Sequence, residues 1–325
     1  MKEVRVLYHD NCFDGVSSAA VFSRFYKGHV DPGAVIEYEG LTHKAGPQIS
    51  GELFGEGENV IVDFKYCASE RLTWWFDHHE SAFLSAEDEA HFRHDTSGKK
   101  FHDPSYKSCT KFIAAVIQNN FNHPLPDLRE LIYWADIIDG AQFPDAKTAV
   151  ELKEPAMRLM LVIEASHSSE LIHKIIRELQ NKPLGKVVED PEIRSSFEKL
   201  YARHFESIEI MRGAARCRNG VIEFDVSDYD LDGYNKFIPY YLFPESVYSV
   251  GVSRSAVRAK VSVGTNPWTK RERRYNLAKL CEQYGGGGHS VVAAISFKSA
   301  ELDRARAAAG EIAQKLRNDL KEGHG

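Results

Sequence analysis

No stretch of the 325-residue sequence approaches the ~20 consecutive apolar residues that a membrane-spanning helix requires, so no membrane partner is expected. The first residues are charged at once (Lys2, Glu3, Arg5) and lack the apolar core of a secretory signal. Cysteine is scarce and scattered. There are five (Cys12, Cys67, Cys109, Cys217, Cys281), an odd number, and no Cys-x-x-Cys occurs. This argues against a disulfide framework and a structural zinc site, and favours a reducing, cytoplasmic setting. Internal repeats and low-complexity segments are missing too. So is a positive charge balance: 41 Lys+Arg against 47 Asp+Glu leaves −6. That argues against holding long nucleic acid by phosphate neutralisation, while leaving room for a local basic groove.

The rest is ordinary for a globular protein, 43% hydrophobic and 27% charged, with length for two domains and no bar to a homodimer. Apolar runs at Val4–Tyr8, Val35–Tyr38, Val60–Phe64 and Thr73–Phe76 predict strands. Helical spacing predicts helices at Ser17–Tyr26, Cys109–Phe121 and Leu128–Ile138. This alternation indicates an α/β domain with a mostly parallel sheet over residues 1–145. Residues 84–105 are polar and predict a surface loop or excursion. Helices near 151–165, 168–181 and 191–214 predict a helical connector, residues 146–215. Strands at Val221–Val226, Val247–Val252, Ala259–Val263 and Val291–Phe297, with helices at 275–284 and 300–320, predict a smaller mixed-sheet α/β domain over residues 216–325.

Chemistry concentrates where strands end. Trp74-Trp75-Phe76 runs into Asp77, His78 and His79; Val4–Tyr8 runs into His9; Val60–Val62 runs into Asp63. In an open parallel sheet the C-terminal strand ends line one crevice. His9, Asp14, Asp63, Asp77, His78 and His79, with Asp136 or Asp139, would converge there. Carboxylates with imidazoles suit manganese, iron, cobalt or zinc. They are too many for one metal with an open position, and two metals sharing Asp63 fit better. Two metals ~3.5–4 Å apart activate water and clamp a phosphoryl group for in-line displacement. A second feature is Gly285–Gly288 followed by His289, where consecutive backbone N–H groups could form an anion nest. Arg254-Ser255 offers a fork for phosphate or carboxylate. Lys270, Arg271, Arg273 and Arg274 make this part locally basic. His91 and His94 could suggest another metal site, but a solvated loop is the simpler reading.

Taken in order, the segment His9–Gly15, Asp63, Asp77-His78-His79, Arg254-Ser255 and Gly286-Gly287-Gly288-His289 followed by Ala293-Ala294 resemble the DHH phosphoesterase superfamily. The likeness is to its two-lobed form with a C-terminal DHHA1 domain, as in nanoRNase and pAp-phosphatase-like members, and spans residues 9 to 294. It implies a two-metal hydrolase, of manganese first, with zinc, iron or cobalt as alternatives. His9 and Asp63 would hold one metal, and Asp14, Asp63, His78 and Asp136 the other, with Asp136 preferred to Asp139. Asp77 would orient a ligand histidine. His79 would contact the phosphate or protonate the leaving oxygen. Arg254, Ser255, Gly286, Gly287, Gly288 and His289 would grip the substrate. The family usually has Asp-x-Asp before the glycine, and here Cys12 stands two residues before Asp14. Cys12 could be a soft ligand, Asp10 could take its place, or the first metal position could be lost.

The expected activity is therefore hydrolysis of a phosphodiester or phosphomonoester in a small nucleotide or short single-stranded oligonucleotide. Two alternatives stand beside it. One is a nucleotide or single-strand binding protein with a degraded metal site. The other is a pyrophosphatase or exopolyphosphatase.

Overall fold

Val4, Val6 and Tyr8 alternate with Leu7 along the first strand, and all four are buried. A strand apolar on both faces needs cover on both, which a parallel sheet between layers provides. A computed structural model, describing residues 2–42, 49, 51–229, 231 and 233–322, shows this arrangement. The chain divides into two units, residues 1–143 with 153–200, and residues 144–152 with 201–325.

The first unit contains β1 (Glu3–His9), α1 (Phe13–Phe25), β2 (Val35–Leu41), β3 (Glu58–Val62), β4 (Leu72–Asp77), α2 (Ala86–Arg93), β5 (Lys100–His102), α3 (Cys109–Phe121) and α4 (Arg129–Asp139). Its five strands are all parallel, in the order β2-β1-β3-β4-β5. The order reverses between β1 and β3, and the carboxyl ends beside such a switch point form the ligand crevice of open α/β sheets. Val60, Val62, Trp74 and Phe76 join the core shared with α1 and α3. Ile61 and Trp75 face the other way, into a second core with Leu7, Phe64 and Tyr66.

The segment 84–105, expected as an excursion, instead forms α2 and the edge strand β5. Ser85 caps α2 by accepting from the Asp88 N–H. Phe83 and Phe92 pack on Trp75 at ring separations of 5.6 and 5.1 Å. Helix α1 begins at Phe13, not Ser17, which puts Asp14 in its first turn. A π-helical turn, Tyr26–Val30, follows it.

Next come α5 (Ala146–Glu151), α6 (Pro155–Ala165), α7 (Ser169–Leu179), α8 (Leu184–Val187) and α9 (Pro191–Ala214). The residues read as a connector are shared between the units. Ala156 and Leu159 of α6, Ile172 and Ile176 of α7 and Val187 of α8 lie in the same core as α1. An amphipathic helix must bury its apolar stripe, and α7 buries Leu171, Ile172, Ile175, Ile176 and Leu179. The second unit takes α5 and residues 201 onward.

The second unit continues with β6 (Arg216–Arg218), β7 (Val221–Asp225), α10 (Ile238–Leu242), β8 (Tyr248–Arg254), β9 (Arg258–Thr265), α11 (Leu277–Glu282), β10 (Gly287–Gly288), β11 (Val292–Lys298) and α12 (Leu302–Glu322). Its six-stranded sheet has the order β10-β11-β9-β8-β7-β6, with β7 and β8 parallel and the other pairs antiparallel. Ala305, Ala309, Ile312, Ala313 and Leu316 of α12 cover it. The short β6 and α10 lie outside the sequence expectation. Among the described residues, no helix is long and apolar enough to cross a membrane.

Candidate metal centre

The site begins with a close approach. A Cβ on Gly15 would lie 2.1 Å from the His9 carbonyl oxygen, so only glycine lets the first turn of α1 sit against the end of β1. Between them Asn11 takes a left-handed backbone (φ 53°) and Cys12 an extended one (φ −133°, ψ 129°). This compact turn brings Cys12 and Asp14 back to the strand end that carries His9. Asp10 is used elsewhere. It accepts the Asn11 N–H at 2.9 Å and packs on Gly40, where an added Cβ would meet its Cγ at 2.8 Å.

Asp63 follows β3 with φ 56°, a backbone costing a non-glycine residue about 1–2 kcal/mol, and its N–H donates to the Phe76 carbonyl at 2.9 Å. Asp77 closes β4, and His78 and His79 follow. Three groups of potential donors result: His9, Cys12 and Asp63; Asp63, His78 and His79; Asp14, His78 and Asp139. Within each, the ligand atoms lie within 4.8 Å of one another. Asp63 links the first two groups. Its Oδ2 is 3.3 Å from His9 Nδ1 and its Oδ1 is 3.4 Å from His78 Nε2. His78 Nε2 is also 3.8 Å from Asp14 Oδ2 and 3.6 Å from Asp139 Oδ2.

The histidines are held from behind. The Nδ1 of His78 lies 3.2 Å from the Tyr106 carbonyl oxygen, so Nδ1 carries a proton and Nε2 is the ring nitrogen turned to the cluster. Asp77 Oδ1 accepts from the His78 N–H at 2.9 Å and from His79 Nδ1 at 2.7 Å. The Asp77 carboxylate thus orients the ring of His79, while the ring of His78 is fixed by the Tyr106 carbonyl. Asp14 is anchored by the start of α3, whose Cys109 and Thr110 N–H groups donate to its two oxygens at 2.6 and 3.0 Å. A helix N-terminus is a natural seat for a carboxylate.

Of the two candidate aspartates on α4, Asp139 is the one brought to the cluster. Asp136, preferred from the sequence, pairs with Lys111, whose Nζ is 2.6 Å from its Oδ2. His91 and His94 do not share a site either: His91 bonds the Tyr66 hydroxyl and His94 the Ala90 carbonyl. The sequence reading gave no role to His102, whose Nε2 lies 2.9 Å from the His79 carbonyl oxygen.

The electrostatics describe a site crowded with negative charge. Burial, then the Asp63 and Asp139 carboxylates, raise the Asp14 carboxyl above its usual range. Partial burial and Asp63 push Asp139 up to about 6. Burial works to raise Asp63, but His78 and His9 outweigh it and bring it to about 2. Burial works against a charged His78, but Asp63 and Asp14 outweigh that and lift it to about 10. The carboxylates crowd one another and are offset only by the imidazoles, the charge environment that a divalent cation neutralises. The fit is also visible in single atoms. Asp63 Oδ1 and His78 Nε2 are both buried without a hydrogen-bond partner, which costs about 1–3 kcal/mol per group unless something binds them. Carboxylates and imidazoles converging on buried, unpartnered donor atoms fit divalent metals.

The second-unit candidates fall in two places. Arg254 is level with Ala259 on β9, and Ala259 is level with Phe297 on β11. Gly287 and Gly288 pair with Ala294 and Ala293, nearer the other end of β11. Three strand spacings and about four residues along the strands put Arg254 roughly 20 Å from the glycine segment. Ser255 is used in the β8–β9 turn, its N–H donating to the Arg258 carbonyl at 2.8 Å. Nor do the glycines form an open nest. The N–H groups of Gly285, Gly286 and His289 donate to the carbonyls of Glu282, Cys281 and Val292. At Gly286 a Cβ would lie 2.4 Å from the Ala294 carbonyl oxygen, so close strand approach accounts for that glycine. His289 is exposed.

No protein-family model matches the sequence, and no curated protein does. Solved structures do match in fold. A pGpG-specific phosphodiesterase, PggH from Vibrio cholerae, superposes with a TM-score of 0.70 at 17% identity, over 99% of this chain and 99% of that one. The DHH domain of a member of the s1p family of ribosomal proteins gives 0.54 at 13% identity, over 97% of this chain and 87% of that one. RecJ from Thermus thermophilus, in complex with Mn2+, gives 0.54 at 12% identity, over 97% of this chain and 52% of that one. The resemblance read from the motifs thus holds for the fold: a parallel-sheet unit and a mixed-sheet unit, as in DHH-domain proteins.

Proposed function

We propose, from a DHH-type fold with its acidic and imidazole donors gathered at the strand ends, that the protein is a two-metal phosphoesterase. The observation that carries this reading is Asp63. Its carboxylate stands between His9 and Cys12 on one side and His78 and His79 on the other, as a ligand shared by two cations must. The substrate class is a small nucleotide or short single-stranded oligonucleotide, cleaved at a phosphodiester or phosphomonoester bond. The fold neighbour described as pGpG-specific puts a linear dinucleotide at the head of the candidates. A net charge of −6 disfavours long polyanions.

A pair of divalent cations, manganese first, supplies water activation and charge neutralisation at the phosphoryl group. The chain's own residues do the rest. His9, Asp14, Asp63, His78 and Asp139 would be the ligands, with Asp139 in place of Asp136 because Asp139 is the one that gathers with His78 and Asp14. Tyr106 holds His78 in the tautomer that presents Nε2. Asp77 holds His79 by Nδ1 and raises its affinity for a proton, the hydrogen bond being the largest cause. His79, with a side chain 38% exposed, is then oriented to give a proton to the leaving oxygen. His289 stays a proposed substrate contact of the second unit by itself, and Arg254 and Ser255 are not placed beside it.

The test is a hydrolysis screen with added Mn2+. It compares pGpG, a 3′,5′-bisphosphate nucleotide, a cyclic dinucleotide, polyphosphate and long single-stranded DNA. Hydrolysis of one small nucleotide, abolished in Asp63→Ala, supports the proposal. Cleavage of polyphosphate alone would transfer it to the phosphoanhydride class. No hydrolysis with Mn2+, Co2+, Fe2+ or Zn2+ would leave a binding protein.

A further inference from the structure

The two halves of the cluster are not alike. Asp14, His78 and Asp139 supply two oxygens and one nitrogen, whereas His9, Cys12 and Asp63 supply nitrogen, sulfur and oxygen. We propose that Cys12 is a metal ligand, and that with His9 and Asp63 it makes the first position a thiolate site selective for a borderline ion such as Zn2+, Co2+ or Fe2+. The position bounded by Asp14, His78 and Asp139 then takes the harder ion, Mn2+. The inference rests on the two-metal reading above and goes further by making the two positions chemically unequal.

Three observations support it. Cys12 is the residue preceding α1, where Ser, Thr, Asp or Asn normally spends a side-chain oxygen on the helix N–H groups. Cys12 makes no such capping bond, and its sulfur lies within 4.8 Å of donor atoms of both His9 and Asp63. Next, the competing carboxylate is engaged elsewhere: Asp10 accepts the Asn11 N–H and packs on Gly40, and it is not among the gathered donors. Finally, the other thiol near the cluster is committed. Cys109 is fully buried and its Sγ lies 3.4 Å from the Phe76 carbonyl oxygen, to which it donates. Sulfur in a nitrogen–oxygen set shifts preference from manganese towards zinc, cobalt and iron. Three protein ligands also leave a position open, as catalytic rather than structural sites do. Binding releases the thiol proton to solvent.

The experiment is a Co2+ titration of chelator-treated full-length protein, read by the sulfur-to-cobalt charge-transfer absorption in the near ultraviolet. The expected result is a band that saturates at one Co2+ per chain, is lost in Cys12→Ser and persists in Cys109→Ser. Cobalt binding by the wild type without that band would overturn the proposal, as would a band lost only in Cys109→Ser. Two measurements keep it falsifiable if Cys12→Ser does not fold. In the wild type, Zn2+ should protect Cys12 from alkylation at least tenfold, read by peptide mass, and unchanged labelling would overturn the assignment. In Cys12→Asp the Zn2+/Mn2+ affinity ratio should fall by about tenfold or more, and an unchanged ratio would overturn it. These readouts report coordination alone. A charge-transfer band without hydrolysis of any phosphoester would sink the proposed activity and leave the thiolate site standing. Hydrolysis without a band would do the reverse.

Discussion

Lys111 Nζ lies 2.6 Å from Asp136 Oδ2, and this ion pair separates two acids one helical turn apart on α4. Both fit a metal-ligand reading of the sequence, since residues three apart share a helix face. With Asp136 taken by Lys111, Asp139 meets His78 at 3.6 Å. Asp139→Asn should therefore weaken Mn2+ binding by about a hundredfold or more, while Asp136→Asn changes it by less than about tenfold. Calorimetric titration of both variants separates them. Equal losses would mean that both carboxylates ligate.

Gly15 offers a test of how the site is built. Gly15→Ala would place a Cβ 2.1 Å from the His9 carbonyl oxygen, so α1 must move away from β1. Overpacking of this kind costs about 2–3 kcal/mol, or roughly 5–10 °C in Tm for a unit of this size. Metal affinity should fall with it, because His9, Cys12 and Asp14 are positioned by that contact. Gly310→Ala is the control. Nothing lies within 4 Å of a Cβ there, and Gly310 is inside α12, so Tm should rise slightly. A harmless Gly15→Ala would refute the packing argument.

Much of this was legible in the sequence, for identifiable reasons. Strands buried on both faces read as unbroken apolar runs, and a parallel sheet sends their ends to one edge. The positions of His9, Asp63 and Asp77–His79 follow from periodicity alone. What stayed hidden depends on partners distant in the chain. Nothing near Asp136 announces Lys111. Nothing near Arg254 announces that strand register carries it away from Gly286–Gly288. The 84–105 segment looked like a loop because its apolar residues are few, and the two aromatic ones, Phe92 and Phe101, are spent on Trp75 and Phe76 of β4.

Glu58 couples stability to pH away from the site. Burial works to raise its carboxyl, but the Trp74 indole at 2.9 Å, the Lys2 ammonium at 3.2 Å and Lys99 lower it below the usual range. A carboxyl depressed in the folded state contributes stability above its unfolded value, about 4.3, and loses it as pH falls through the folded value. Glu58→Gln should cost about 1 kcal/mol at neutral pH and flatten the decline of Tm between roughly pH 5 and 3. Parallel Tm–pH curves for the two proteins would show that Glu58 does not contribute to acid sensitivity.

His102 holds the backbone of His79 as Asp77 holds its ring. Its Nε2 is 2.9 Å from the His79 carbonyl oxygen. Its own ring is stacked on Trp75 at 5.7 Å and meets the edge of Phe83 at 5.3 Å, so it has little freedom. His102→Phe keeps the stacking and removes the donor. If His79 protonates the leaving oxygen, turnover should fall about tenfold with metal content and Tm nearly unchanged. His102→Gln, which can still donate, should recover part of the loss. An unaltered turnover in His102→Phe would mean that the Asp77 bond and the Ala82 N–H, 3.2 Å from the same carbonyl, suffice to hold His79. A loss of bound metal would instead make His102 a support of the whole strand end, since β5 pairs it directly with Asp77.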